Sequence, residues 1–292
     1  MKFLIIGDLH GKKPHIYYKD FDAILAVGDF CSTKFRKYMF KVIENKLKNP
    51  NYKKDWYDLI GKKKAKKFLE ESFQDGRKVL EFLNSLNTPI YIVPGNVDRI
   101  KNEGSSWDYL KKDYFKKLKK NLRNIKDCHN KIIDLKECQI IGYGISSGPE
   151  FPQYKQDLKK LTKKQIKEEK KEYKKLLKKY DKLYKKTKKP VIFLSHNVPF
   201  NTPIDKIVNK KSPRNGQHFG SLLTRELIDK YQPLICVGGH MHEHFKKCKI
   251  RKTTCINAGF GPYVNTFLEI KKGKIKKLEL YYSKKGKYNP YK

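Results

Sequence analysis

Phe3-Leu4-Ile5-Ile6-Gly7-Asp8-Leu9-His10-Gly11 decides how the rest of the chain is read. Four consecutive apolar residues describe a buried strand, and the acid and histidine that follow set two metal-binding side chains at its carboxyl end. Open α/β sheets place their ligands at that end of their strands. Taken alone, an acid two residues before a histidine reads equally as a turn acid and a loop histidine.

The pattern recurs four more times, in order. Ile24-Leu25-Ala26-Val27 runs into Gly28-Asp29, and Ile90-Tyr91-Ile92-Val93 into Pro94-Gly95-Asn96-Val97-Asp98. Val191-Ile192-Phe193-Leu194 runs into Ser195-His196-Asn197, and Leu234-Ile235-Cys236-Val237 into Gly238-Gly239-His240-Met241-His242. Carboxylates, imidazoles and one amide make a mixed oxygen and nitrogen set. Such a set suits borderline divalent metals better than calcium or a thiolate-bound structural zinc.

These blocks resemble the signature of the calcineurin-like metallophosphoesterase superfamily: Asp-x-His, Gly-Asp, Gly-Asn-His-(Asp/Glu), a His after a strand, and Gly-His-x-His. Four of the five stand intact, and the third has Val97 where many members have His. The resemblance spans Asp8 to His242. It implies an α/β fold of two stacked mixed β-sheets flanked by helices, a four-layer α/β/β/α sandwich. It also implies a two-metal centre, with Asp8, His10, Asp29 and His242 on the first ion and Asp29, Asn96, His196 and His240 on the second. The implied cofactors are two divalent ions drawn from Mn, Fe, Zn or Ni. One carboxylate shared by two dications about 3.5–4 Å apart offsets their repulsion, and the pair acidifies a water to the hydroxide that attacks phosphorus.

The leaving oxygen then needs a proton. In much of the family the His of the third block helps, a role closed to Val97. Asn96, Asp98 and His218 are therefore the catalytic candidates, with Arg214 and Arg99 as further groups on loops that reach the mouth. For His218 and both arginines the competing reading is a solvated surface residue. His244 reads as structural or as support for His242, and His15 and His129 as incidental. The expected activity is metal-dependent hydrolysis of a phosphate ester, a diester in preference, on a phosphorylated small molecule. The alternatives are a nuclease acting on DNA or RNA and a non-catalytic scaffold with the same fold.

At 292 residues and 38% hydrophobic content the chain fits one α/β domain over 1–292, with helical insertions at about 33–86 and 155–189. No stretch approaches eighteen apolar residues and the opening run is too short for a signal peptide, so the expectation is a cytoplasmic protein with no membrane partner. Six cysteines without a Cys-x-x-Cys pair read as reduced thiols. The net charge of +38 raises nucleic acid as a partner, yet only seven of the 68 basic residues are arginine and the lysines run along the whole chain. A general lysine bias and a polyanion-binding face both fit.

Between the blocks, helical spacing appears over Phe35 to Leu47 and Lys62 to Leu86, broken at Asn49-Pro50-Asn51. Trp107 to Leu122 reads as one amphipathic helix, and Ile132-Ile133 and Gln139 to Gly144 as strands, the second ending in a glycine-rich turn that the family resemblance implies to lie near the mouth. Lys155 to Lys189 carries seventeen lysines and five acids with no glycine or proline. Tyr173, Leu176, Tyr180 and Leu183 make one apolar stripe there, read as too narrow for a main core and hence as replaceable. The loop after His196 is stiffened by Pro199 and Pro203, and a helix starts near Ser221. Thr253 to Asn257, Val264 to Ile270 and Ile275 to Tyr282 read as antiparallel strands closing a second sheet.

Overall fold

The computed structural model describes residues 1–49, 51–98, 107–284 and 287–290. In chain order, buried strands β1 (Lys2–Ile6) and β2 (Ala23–Ala26) precede helices α1 (Arg36–Lys48), α2 (Trp56–Ile60) and α3 (Lys62–Asn84). Strand β3 (Ile90–Ile92), helix α4 (Tyr114–Leu118) and strands β4 (Ile125–Asp127), β5 (Ile132–Asp134) and β6 (Gln139–Tyr143) follow. Helices α5 (Lys155–Leu158) and α6 (Lys163–Tyr184) lead to β7 (Val191–Asn197), α7 (Leu222–Tyr231) and β8 (Ile235–Gly239). Then come β9 (Lys246–Ile250), β10 (Thr253–Asn257), β11 (Val264–Lys271) and β12 (Lys274–Tyr282).

The strands form two mixed six-stranded sheets, ordered β12-β11-β1-β2-β3-β4 and β5-β6-β7-β8-β10-β9. In the first, β1 to β4 run parallel, with β11 antiparallel beside β1. In the second, β6, β7, β8 and β10 run parallel between antiparallel edges β5 and β9. The two-residue period of β1 sends Phe3 and Ile5 toward Ile140, Ile192 and Val237 of the facing sheet. Leu4 and Ile6, on the other face, pack with Leu80 and Leu83 of α3 and Phe115 of α4. The outer face of the second sheet, with Ile141, Phe193 and Cys236, is covered by Tyr180 and Tyr184 of α6 and Leu223 and Leu227 of α7. Each fully buried Leu, Ile or Phe stabilises this sandwich by about 1.5–3 kcal/mol, and the layers are α/β/β/α.

Four sequence expectations change. Trp107 to Leu122 is not one helix: a 3₁₀ turn over Asp108–Lys111 ends, and the Asp113 carboxylate accepts the Lys116 N–H and caps α4 afresh. Lys155 to Lys189 is likewise divided, because Thr162 and Gln165 form a capping box that starts α6. Strands β11 and β12 join the first sheet, since β11 pairs with β1 in the register Leu4↔Phe267. The α6 stripe is wider than its spacing suggested: Tyr180 is fully buried, and Tyr173, Leu176, Leu177, Leu183 and Tyr184 pack in the same cluster. Two strands had no sequence signal, β4 with three residues and β9, which is the lysine-bearing edge Lys246-Lys247-Cys248-Lys249-Ile250.

His129, which no motif surrounds, has a structural task. Its Nδ1 accepts the Gly144 N–H at 2.9 Å, and Ile145 N–H donates to Pro94 O at 2.7 Å, so the turn after β6 is held against the third motif block. Burial holds the His129 pKa down to about 4. A depressed histidine pKa means the unfolded chain binds the extra proton, so this stability is present above about 6.5 and is lost as pH falls toward 4. The contribution is about 3 kcal/mol. His129→Asn should flatten the dependence of Tm on pH across that window relative to wild type. Parallel curves would remove His129 from this account.

Candidate metal centre

Five strand ends converge on one edge of the sandwich. Asp8 and His10 follow β1, Asp29 follows β2 and Asn96 follows β3, all from the first sheet. His196 lies near the end of β7, and His240 and His242 follow β8, all from the second. The loops after β2 and β3 meet closely enough that a Cβ on Gly28 would fall 2.2 Å from Gly95 N, and one on Gly95 would fall 2.0 Å from Asp29 Oδ1. Glycine is required at both. His10, Asp29 and His240 adopt left-handed backbone, with φ of 45°, 53° and 64°.

Two groups of ligating atoms result. His10, Asp29 and His242 form one, and Asp29, His196 and His240 the other, with the atoms of each group within 4.8 Å of one another. Asp29 belongs to both. Its Oδ2 lies 3.4 Å from His10 Nε2 and its Oδ1 3.6 Å from His196 Nε2, while the Val97 N–H donates to Oδ1 at 3.0 Å and fixes the carboxylate plane. Asp8 Oδ2 is 3.4 Å from His242 Nε2 and accepts the His240 backbone N–H at 2.5 Å. Asn96 Oδ1 sits 2.9 Å from both His196 Nε2 and His240 Nδ1. His196 Nδ1 meets Val27 O at 2.7 Å, so the proton belongs on Nδ1 and the Nε2 lone pair faces the group.

The electrostatics of the cluster fit dications. Asp8 and Asp29 are buried beside one another, and that burial raises both carboxyls above the usual range. Burial also lowers His10, His240 and His242, the last to about 3. Asp8 Oδ1 is buried with no hydrogen-bond donor among the described residues, and His10 Nε2 and His242 Nε2 face each other at 3.1 Å. Unprotonated nitrogens and an unserved carboxylate oxygen converging without a charge between them are costly, and a divalent ion relieves all of them.

The remaining candidates are placed differently. Asp98 is buried and turned inward, its carboxylate accepting the N–H groups of Phe30, Cys31 and Gly95 at 2.8, 3.0 and 2.8 Å. It fastens the loops of β2 and β3 together. Val97 is also buried, in the apolar cluster with Leu9 and Phe30. Arg214 is committed elsewhere, bidentate on Asp157 at 3.0 and 3.0 Å and stacked on Phe219. Arg99 lies outside the described residues. His218 pairs through Nδ1 with the buried Asp205 at 2.7 Å, and His244 Nε2 donates to Lys206 O at 2.6 Å.

Two groups at the centre, Arg36 and Phe260, carried no sequence signal, and a third, Ser147, lies on the turn that the family resemblance put near the mouth. Arg36, at the head of α1, adds its positive charge to the burial that lowers His10 and His242. The Ser147 backbone meets the His240 ring, bringing the turn after β6 to the site. Phe260 packs on His242 with ring centroids 4.4 Å apart and on His10 at 5.4 Å.

A two-sheet α/β sandwich with carboxylates, imidazoles and one amide gathered at its strand ends defines a class of metal-binding sandwich proteins. The calcineurin-like phosphoesterase family matches residues 1–244, and the chain belongs to that family. Its members ordinarily bind divalent metals, and this chain has His and Asp groups arranged to hold them. No curated protein matches the chain by sequence. One solved structure superposes with a TM-score of 0.61 at 16% identity, over 96% of this chain and 98% of its own. The protein TT1561 of Thermus thermophilus aligns at a TM-score of 0.49 and 14% identity, over 96% of this chain and 98% of its own. No helix among the described residues is long and apolar enough to cross a membrane.

Proposed function

We propose that the protein hydrolyses phosphodiesters of small molecules with two divalent ions bridged by Asp29. The observation that carries this reading is the membership of Asp29 in both ligand groups. Asp8, His10, Asp29 and His242 would hold one ion and Asp29, Asn96, His196 and His240 the other. When bound, such a pair supplies Lewis acidity toward a phosphoryl oxygen and a nucleophile at neutral pH. The chain's own residues do the rest. Val97 N–H and Val27 O fix Asp29 and His196 in single orientations, and the Arg36 charge beside the cluster favours an anionic ester. The buried Val97 gives no proton from the family's usual position, which favours diesters with good leaving groups unless a group outside that block supplies one. Six free thiols suit a reducing, cytoplasmic setting.

A test strips the protein with chelator, restores Mn²⁺, Fe²⁺, Zn²⁺ or Ni²⁺ in turn, and compares bis(p-nitrophenyl) phosphate with p-nitrophenyl phosphate. Turnover should require metal and favour the diester by at least about tenfold. Two tightly bound ions with no diester turnover would favour the scaffold reading. A second activity, on DNA or RNA, is favoured by the exposed lysines of α6, such as Lys167, Lys171, Lys174 and Lys178. A steep fall of nucleic-acid affinity with salt, reduced when those lysines become glutamine, is its signature.

A further inference from the structure

We propose that the proton for the leaving oxygen comes from His218, with the buried Asp205 as its positioning residue, so that the acid has moved from the third motif block to the connection between β7 and α7. This rests on the phosphoesterase reading above. Of the eight histidines, four belong to the ligand groups, His129 holds Gly144, His244 holds Lys206, and His15 stacks on Tyr263. His218 is the one left with a carboxylate on one ring nitrogen and an exposed edge, its side chain 26% accessible while Asp205 has no exposure.

The pair is rigid. Asp205 Oδ1 takes His218 Nδ1 at 2.7 Å, the Thr202 N–H at 2.7 Å and the Thr202 hydroxyl at 3.2 Å. Its Oδ2 takes the N–H groups of Asn201 and Gly220 at 3.0 and 2.9 Å. A carboxylate held by that many donors fixes the proton on Nδ1 and turns Nε2 outward.

The connection carrying the pair is tied to both histidine-bearing strand ends. On the β7 side, the Asn197 side-chain amide, one residue past His196, donates to Phe219 O at 3.1 Å, and the Ser221 N–H donates to Val198 O at 2.8 Å. On the β8 side, His244 reaches Lys206 O, and the Glu243 carboxylate accepts the N–H groups of Val208 and Asn209. The loop that carries His218 is therefore held against both strand ends, those that present His196 and His242. In the step, the bond from phosphorus to the leaving oxygen breaks as a bond to the oxygen of a water forms. His218 acts as the imidazolium, with one proton on Nδ1 toward Asp205 and one on Nε2. The Nε2 proton passes to the leaving oxygen, the neutral Nδ1–H imidazole is left on Asp205, and the proton released by the water restores the imidazolium through solvent.

The experiment uses the metal-loaded full chain and a diester series running from p-nitrophenolate to methoxide as leaving group. His218→Gln should lose about threefold with the first and about 10³-fold with the last, and Asp205→Asn should follow the same trend at about tenfold less. In the metal-free protein, nitrogen-15 NMR of the His218 ring should report the Nδ1–H tautomer, lost in Asp205→Asn. An equal fall across all leaving groups in His218→Gln, or no fall at all, overturns the proposal while wild-type turnover of the activated diester keeps the phosphoesterase reading intact. Absence of wild-type turnover on every ester overturns both. If Asp205→Asn misfolds by circular dichroism, the His218→Gln series decides alone.

Discussion

Replacing Asp29 by alanine should leave the protein unable to hold either ion tightly and should lower diester turnover on the order of 10³-fold or more. Its two oxygens face His10 and His196 on opposite sides, so the substitution takes one ligand from each group at once. Asp98 cannot substitute, because it is locked to three backbone groups beneath the site. Metal content of the purified variant and its activity are the measurements, and two ions per chain with wild-type turnover would defeat the assignment. A stability measurement separates ligand loss from misfolding. Burial raises the Asp29 pKa above its unfolded value, so in the metal-free protein this group's contribution is present below about 4 and lost as pH rises through the folded pKa. Metal-free Asp29→Asn should therefore melt no lower than metal-free wild type at neutral pH.

Tyr180→Ala should destabilise the fold by about 3–5 kcal/mol, lowering Tm by roughly 10 °C. The side chain is fully buried, its ring meets Tyr143 and Phe193 edge-on at 5.2 and 6.2 Å, and its hydroxyl donates to Gly142 O and meets Asn130 Oδ1. Truncation removes packing and one of the two hydrogen bonds that Gly142 O accepts, the other coming from the Asn130 N–H. Lys178→Ala, on the exposed face of the same helix, should change stability by no more than about 0.5 kcal/mol. Replacing all of α6 with a polar linker should fail to give soluble protein, the reverse of what the stripe alone suggested. Equal melting of Tyr180→Ala and wild type would show that α6 is only laid on the surface.

The central strands were legible because a strand buried on both faces is an unbroken apolar run, as in Phe3 to Ile6 and Val191 to Leu194, and because each ligand follows its strand within a few residues. What reaches across the chain was not. The pairing of β11 with β1 joins residues more than 250 positions apart, and β9 shows an edge strand's lysines in place of apolar alternation. The same limit applied at the site. Asp98 turns inward because three backbone N–H groups from two loops need an acceptor, and Asp205 finds His218 thirteen residues later in a loop with no repeating spacing.

The left-handed backbone at His10, Asp29 and His240 has a consequence for how this protein can evolve. An L-residue in that region gives up about 1 kcal/mol or more that glycine would not. Together with two crowded carboxylates and three buried imidazoles, these positions make the strand ends the least comfortable part of an otherwise well-packed sandwich. Substitutions that relax them gain robustness and lose chemistry. Selection for a tougher scaffold alone would thus erode the centre first.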